Sequence, residues 1–176
     1  MSTALEKYPA PAQVFWADLT GASERWGRTL LLAVVIGRLS MTALGLMVLL
    51  AAGEQSAQGF TGVLQTLDTA TIFGAVIGAP LIESLILLAL VWLIGFKLKA
   101  SAAVTAVLVG LAFIPQHGLA LVSVMTAPFF ALEALILFNW MRRGSGVGGF
   151  WLVFFIHAIS NGLSVLAVAT FGPALL

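Results

Sequence analysis

The stretch VFFIHAISNGLSV, residues 153–165, lies within an apolar run long enough to cross a bilayer, yet it carries His157 and Asn161. A helix facing lipid has no use for an imidazole and a carboxamide four residues apart. That spacing puts both on one helical face, where they can act on one group. Either the pair glues helices together or it belongs to a site.

The rest of the chain sets the surroundings. Of its 176 residues 61% are hydrophobic and 9% charged, with mean hydropathy +1.10. A soluble domain of this length needs more charge to cover its surface, so the composition belongs in lipid. A net charge of +1 gives no reason to expect a nucleic-acid partner. The absence of cysteine removes disulfides, thiolate metal sites and a thiol nucleophile together.

A helix needs about 20 apolar residues to span the hydrocarbon core. Segments 28–52, 71–95, 101–121, 123–141 and 149–172 meet this. They are continuously apolar rather than alternating, which argues for helices over membrane strands. The expected fold is all-α, a polytopic bundle of about five spans. Residues 1–27 form a cytoplasmic or interfacial segment, and 28–176 form the transmembrane domain. Within 12–26 a short interfacial helix could place Phe15, Trp16 and Trp26 at headgroup level; an unordered tail broken at Pro9 and Pro11 is the equal alternative.

Basic residues set the orientation. Arg25 and Arg28 precede the first span, Lys97 and Lys99 follow the second, and Arg142 and Arg143 follow the fourth. The 53–70 connection holds Glu54 and Asp68 but no Lys or Arg. The N-terminus is therefore expected in the cytoplasm, and the membrane is expected to be a bacterial inner membrane.

Ionisable groups inside spans are costly and mark sites more often than accidents. Arg38, Glu83, His117, Glu133 and His157 occupy the five spans in order. At 1.5 Å per residue, Arg38 lies about 15 Å from the cytoplasmic end, Glu83 about 18 Å, Glu133 and His157 about 12 Å, and His117 about 24 Å. Pro115 can kink the third span, and Pro80 frees a backbone carbonyl near Glu83. Each group also has a plain reading: a satisfied interhelical histidine, an Asn acting as glue, or a mutually neutralising Arg38–Glu133 pair. That ion pair is the expected role of Arg38, with Glu83 the other acid in reach. Glu83, His117 and His157 together suit activation of water, with or without a metal.

Familiar hydrolytic motifs narrow the chemistry. Neither His is followed by Glu, so no HExxH zinc site exists. No span holds GxSG, both aspartates, Asp18 and Asp68, lie outside the spans, and a sortase-like cysteine is missing. What remains is Glu83, then FIPQH at 113–117, then HAISN at 157–161. This order resembles the CPBP family, also called Abi, of type II CAAX prenyl endopeptidases and bacteriocin-processing proteins. Its motifs are EExxxR, FxxxH and HxxxN on successive membrane helices. FxxxH is complete at Phe113 and His117, HxxxN at His157 and Asn161, and the resemblance covers about 75–166. Ser84 and Leu88 replace the second Glu and the Arg of the first motif.

The resemblance implies that Glu83 and His117 activate water while His157 and Asn161 stabilise the oxyanion. It implies a membrane-associated peptide or protein substrate and leaves two options for cofactor. One is a metal-free glutamate mechanism; the other is zinc held by Glu83, His117 and His157. The expected function is an intramembrane endopeptidase. A catalytically degenerate immunity or partner-binding protein is the alternative, and a small transporter is disfavoured by the lack of inverted repeats. In either leading case Glu83, His117, His157 and Asn161 should line one cavity between the second, third and fifth spans. Arg38 and Glu133 could stand in for the missing Arg and Glu.

Overall fold

A computed structural model describes residues 10–23, 25–52, 68–117 and 121–175. Pro9, Glu54 and the rest of the 53–67 connection lie outside the described residues. The described residues fold as an all-α bundle of six helices: α1 (Ala10–Leu19), α2 (Trp26–Ala52), α3 (Thr69–Lys97), α4 (Ala102–Phe113), α5 (Thr126–Arg142) and α6 (Gly146–Leu175). Helices α2, α3, α5 and α6 contain stretches long and apolar enough to cross a membrane. The third expected span is shorter. Helix α4 stops at Phe113 because Pro115 cannot continue it, and the chain tightens into a 3₁₀ turn at Pro115–His117.

Apolar side chains point both ways. Leu87, Val109, Phe113, Phe130, Ile136, Leu152 and Ile156 form the buried core, while Leu31, Leu39, Leu50, Ile82 and Leu166 are more than half exposed. An outer surface this apolar suits lipid and not water, so the bundle is membrane-embedded. Association inside lipid depends on close packing of small residues. At Gly110 a Cβ would stand 2.5 Å from the Ala127 carbonyl oxygen, so α4 lies directly against α5. At Gly37 it would meet the Phe129 ring at 2.7 Å, which lets α2 approach α5 and brings the neighbouring Arg38 inward.

The short N-terminal helix exists, and Trp26 opens α2 rather than belonging to it. Helix α1 exposes Val14, Phe15 and Trp16 and buries Asp18. Arg25 and Arg28 each approach Asp18 Oδ2 at 3.5 Å. From α5 and the turn after it, Asn139 Nδ2 donates to the Thr20 carbonyl at 2.9 Å and Arg143 donates to that of Gly21. The Ser23 hydroxyl, followed by the Arg25 and Arg28 charges, holds the Asp18 carboxyl below the ordinary aspartate value of 3.8 despite its burial. A carboxyl depressed in the folded state adds stability above its unfolded pKa and loses it as pH falls through the folded value. Both arginines are more than half exposed, so the contribution is small. Amide exchange across residues 10–19, corrected for intrinsic rate, should quicken near about pH 3 relative to neutrality. Equal protection at both values would show that Asp18 does not hold α1.

Candidate active site

Helix α3 is not a regular α-helix near the carboxylate. Residues Gly74–Gly78 take π geometry, and the Ala79 N–H bonds the Gly74 carbonyl five residues back. Ala75 O would next take the N–H of residue 80, but that residue is proline. The orphaned carbonyl is met from another helix: Asn161 Nδ2 on α6 donates to Ala75 O at 2.9 Å. The carbonyl freed by Pro80 is thus occupied, and one amide hydrogen of Asn161 is spent on it.

One turn after Pro80, Glu83 places its carboxylate between two imidazoles. His157 Nε2 lies 3.0 Å from Glu83 Oε2, and His117 Nε2 lies 3.8 Å from Glu83 Oε1. On the far side of its ring His157 Nδ1 faces Glu133 Oε2 at 3.5 Å. Four side chains on four segments therefore form one chain, Glu133–His157–Glu83–His117. A neutral imidazole has one donor and one acceptor nitrogen. With carboxylates at both His157 nitrogens, Glu133, His157 and Glu83 need one proton beyond a neutral ring and two carboxylates.

The two ends of this chain differ in access. The His157 and Glu133 side chains are 5% and 2% exposed, whereas His117 and Glu83 keep 30% and 18%. The Glu83–His117 end is the more open to water or a ligand. There the tautomer is set locally, since His117 Nδ1 lies 3.0 Å from the Phe113 carbonyl, which can only accept. In the neutral ring Nε2 is then an acceptor facing a carboxylate oxygen. Two acceptors 3.8 Å apart are too distant and too alike to bond each other; a molecule with two O–H groups suits both.

Aromatic rings fix the arrangement. Phe113 stacks on Phe130 with centroids 3.8 Å apart. Phe130 touches both imidazoles, at 5.3 Å for His117 and 5.2 Å for His157, and Phe129 meets His157 edge-on. A cavity of about 280 Å³ adjoins the cluster.

The expectation of one cavity holding all four residues is corrected in part. His117, His157 and Asn161 line it, but Glu83 lies outside its lining, in contact with both imidazoles. Its walls come from α2, including Arg38 and Thr42, from α5 and α6, and from the turns that carry His117 and Met125; no described α3 residue lines it. The expected Arg38–Glu133 pair does not form either. Arg38 Nη1 donates to Ser164 Oγ at 2.7 Å, while Glu133, wholly buried, turns to His157. Helix packing puts the guanidinium and Glu133 on different neighbours.

Sequence reasoning treated Glu133 mainly as a neutralising partner and passed over Phe130, Ser160 and Ser164. The signal for the serines was present. His157, Ser160, Asn161, Ser164 and Val168 recur at helical spacing and share the cavity wall.

Zinc requires its ligands to converge. His117 and His157 approach different oxygens of Glu83, and no group of three or more His, Asp or Glu among the described residues is arranged to hold a metal ion. The residues present do not fit that ion as they stand. Compared with known families, curated proteins and solved structures, the chain matches none of them.

Proposed function

We propose that this protein is an intramembrane endopeptidase, hydrolysing a peptide bond of a membrane-associated protein or peptide. The observation that supports this reading best is the exposed acceptor pair of Glu83 and His117, backed by the sealed His157–Glu133 pair. Water between Glu83 Oε1 and His117 Nε2 would be polarised by both and lose a proton to the carboxylate as it attacks. The free amide hydrogen of Asn161 would meet the developing oxyanion, while His157, held between Glu83 and Glu133, would keep the Glu83 carboxylate in place. The order of FxxxH and HxxxN segments supports a CPBP-like assignment, and alternating basic loops support a bacterial cytoplasmic membrane with the N-terminus inside.

The alternative is a degenerate, partner-binding membrane protein. Its support is also specific: Asn161 already caps Ala75, and His157 is held on both sides, as interhelical glue would be.

Cleavage can be read by mapping new N-termini after reconstituting the protein with bacterial membrane proteins. Asn161→Ala should slow cleavage by about 10²-fold, and a chelator should leave the parent rate unchanged. A rate lost in chelator and restored by Zn²⁺ would reassign Glu83, His117 and His157 as ligands. No cleavage by the parent protein under any condition would leave the partner-binding reading standing.

A further inference from the structure

Arg38 stands near the middle of the Trp26–Met47 span, about 18 Å along the axis from Trp26. A guanidinium at that depth needs an anion or several acceptors. Among the described residues it has neither Glu83 nor Glu133 as an ion-pair partner, only the Ser164 hydroxyl. That hydroxyl donates onward to the Ser160 carbonyl at 3.2 Å, leaving its oxygen to orient Arg38. Four of the five guanidinium N–H donors remain, and the side chain lines the cavity together with His117, His157 and Asn161. Met41, Met125, Phe129 and Val168 make the space between them largely apolar.

We infer that Arg38 is an anion anchor for the cavity's ligand, and that the ligand is an apolar chain bearing a carboxylate. The charge follows from the uncompensated cation, and the apolar body from the walls. A volume of about 280 Å³ is at the small end for ligand pockets, which suits the end of a chain rather than its middle. Depth selects carboxylate over lipid phosphate. Phosphates sit outside a hydrocarbon core about 30 Å thick, whereas Arg38 is close to its centre. Ser164, already bonded to the guanidinium, holds the fork oriented for a two-oxygen acceptor.

This inference rests on the hydrolase reading only in naming the ligand a substrate or product. Binding should therefore be measured in Glu83→Gln protein, where turnover is blocked, in lipid nanodiscs. The probes are an acetylated apolar tripeptide with a free C-terminal carboxylate, its carboxamide, laurate and dodecanol. The carboxylate of at least one pair should bind about tenfold to hundredfold more tightly than its neutral counterpart, and raise the melting temperature more. Preference within the peptide pair identifies a peptide carboxylate, and preference within the laurate pair a lipid-derived one. Arg38→Gln should erase the preference and Arg38→Lys should keep much of it. If Arg38→Gln fails to fold, the acid-against-neutral comparison in protein retaining Arg38 decides alone. Equal binding of acid and neutral probes in both pairs, or no binding of any, overturns the inference. A protein that prefers carboxylates but never cleaves keeps the anchor and loses the protease; one that cleaves with no preference does the reverse.

Discussion

Glu83→Gln is expected to lower the rate of peptide hydrolysis by about 10²–10⁴-fold while leaving the bundle folded. The amide keeps the size of the carboxylate and can still meet His117 and His157, but it cannot take a proton from water. Burying an amide costs less than burying a carboxylate, so the melting temperature should hold or rise. His117→Ala should lose activity comparably, since it removes the second acceptor, 3.8 Å from Glu83 Oε1. The readouts are single-turnover cleavage in liposomes and thermal unfolding of the same preparation. If both variants retain the parental function, the enzyme reading is abandoned in favour of a partner-binding role.

Glu133→Gln tests the sealed half of the site. Glu133 does not line the cavity and would act by holding His157, whose Nδ1 lies 3.5 Å from its carboxylate. A neutral amide cannot balance a doubly protonated ring, so His157 would lose one of its two anionic neighbours. The rate should fall by up to about 10²-fold, the lower end of what one general base is worth, because a loosened His157 holds the Glu83 carboxylate less firmly. A purely structural Glu133 would alter stability and leave the pH profile of the rate in place. A positioning Glu133 moves that profile, because the protonation of His157 now depends on Glu83 alone. An unmoved profile with full activity would remove Glu133 from the site.

Much of this was legible in the residues. Continuous apolar runs point to helices in lipid, since a helix satisfies its backbone within one segment and barrel strands would alternate in polarity. Polar groups in such runs are costly enough that Glu83, His117, His157 and Asn161 could be singled out before any coordinates. Pro80 announced a freed carbonyl, which is present, whereas Pro115 suggested a kink in the third span and instead ends that helix at Phe113. Arg38 and Glu133 were misjudged. Depth and charge made them look like partners, but depth says nothing about which way a side chain turns around its helix axis.

The sequence by itself determined the helical class, the membrane setting and the residue types available for chemistry, because these follow from local hydrophobicity and backbone hydrogen bonding. Only the tertiary structure decided the pairings. Gly110 and Gly37 let α4 and α2 press onto α5, and that packing turned Glu133 to His157 and Arg38 to Ser164. It also left Glu83 outside the cavity lining, in contact with both imidazoles. These choices depend on the rotation and separation of helices far apart in the chain, which spacing along one helix cannot encode.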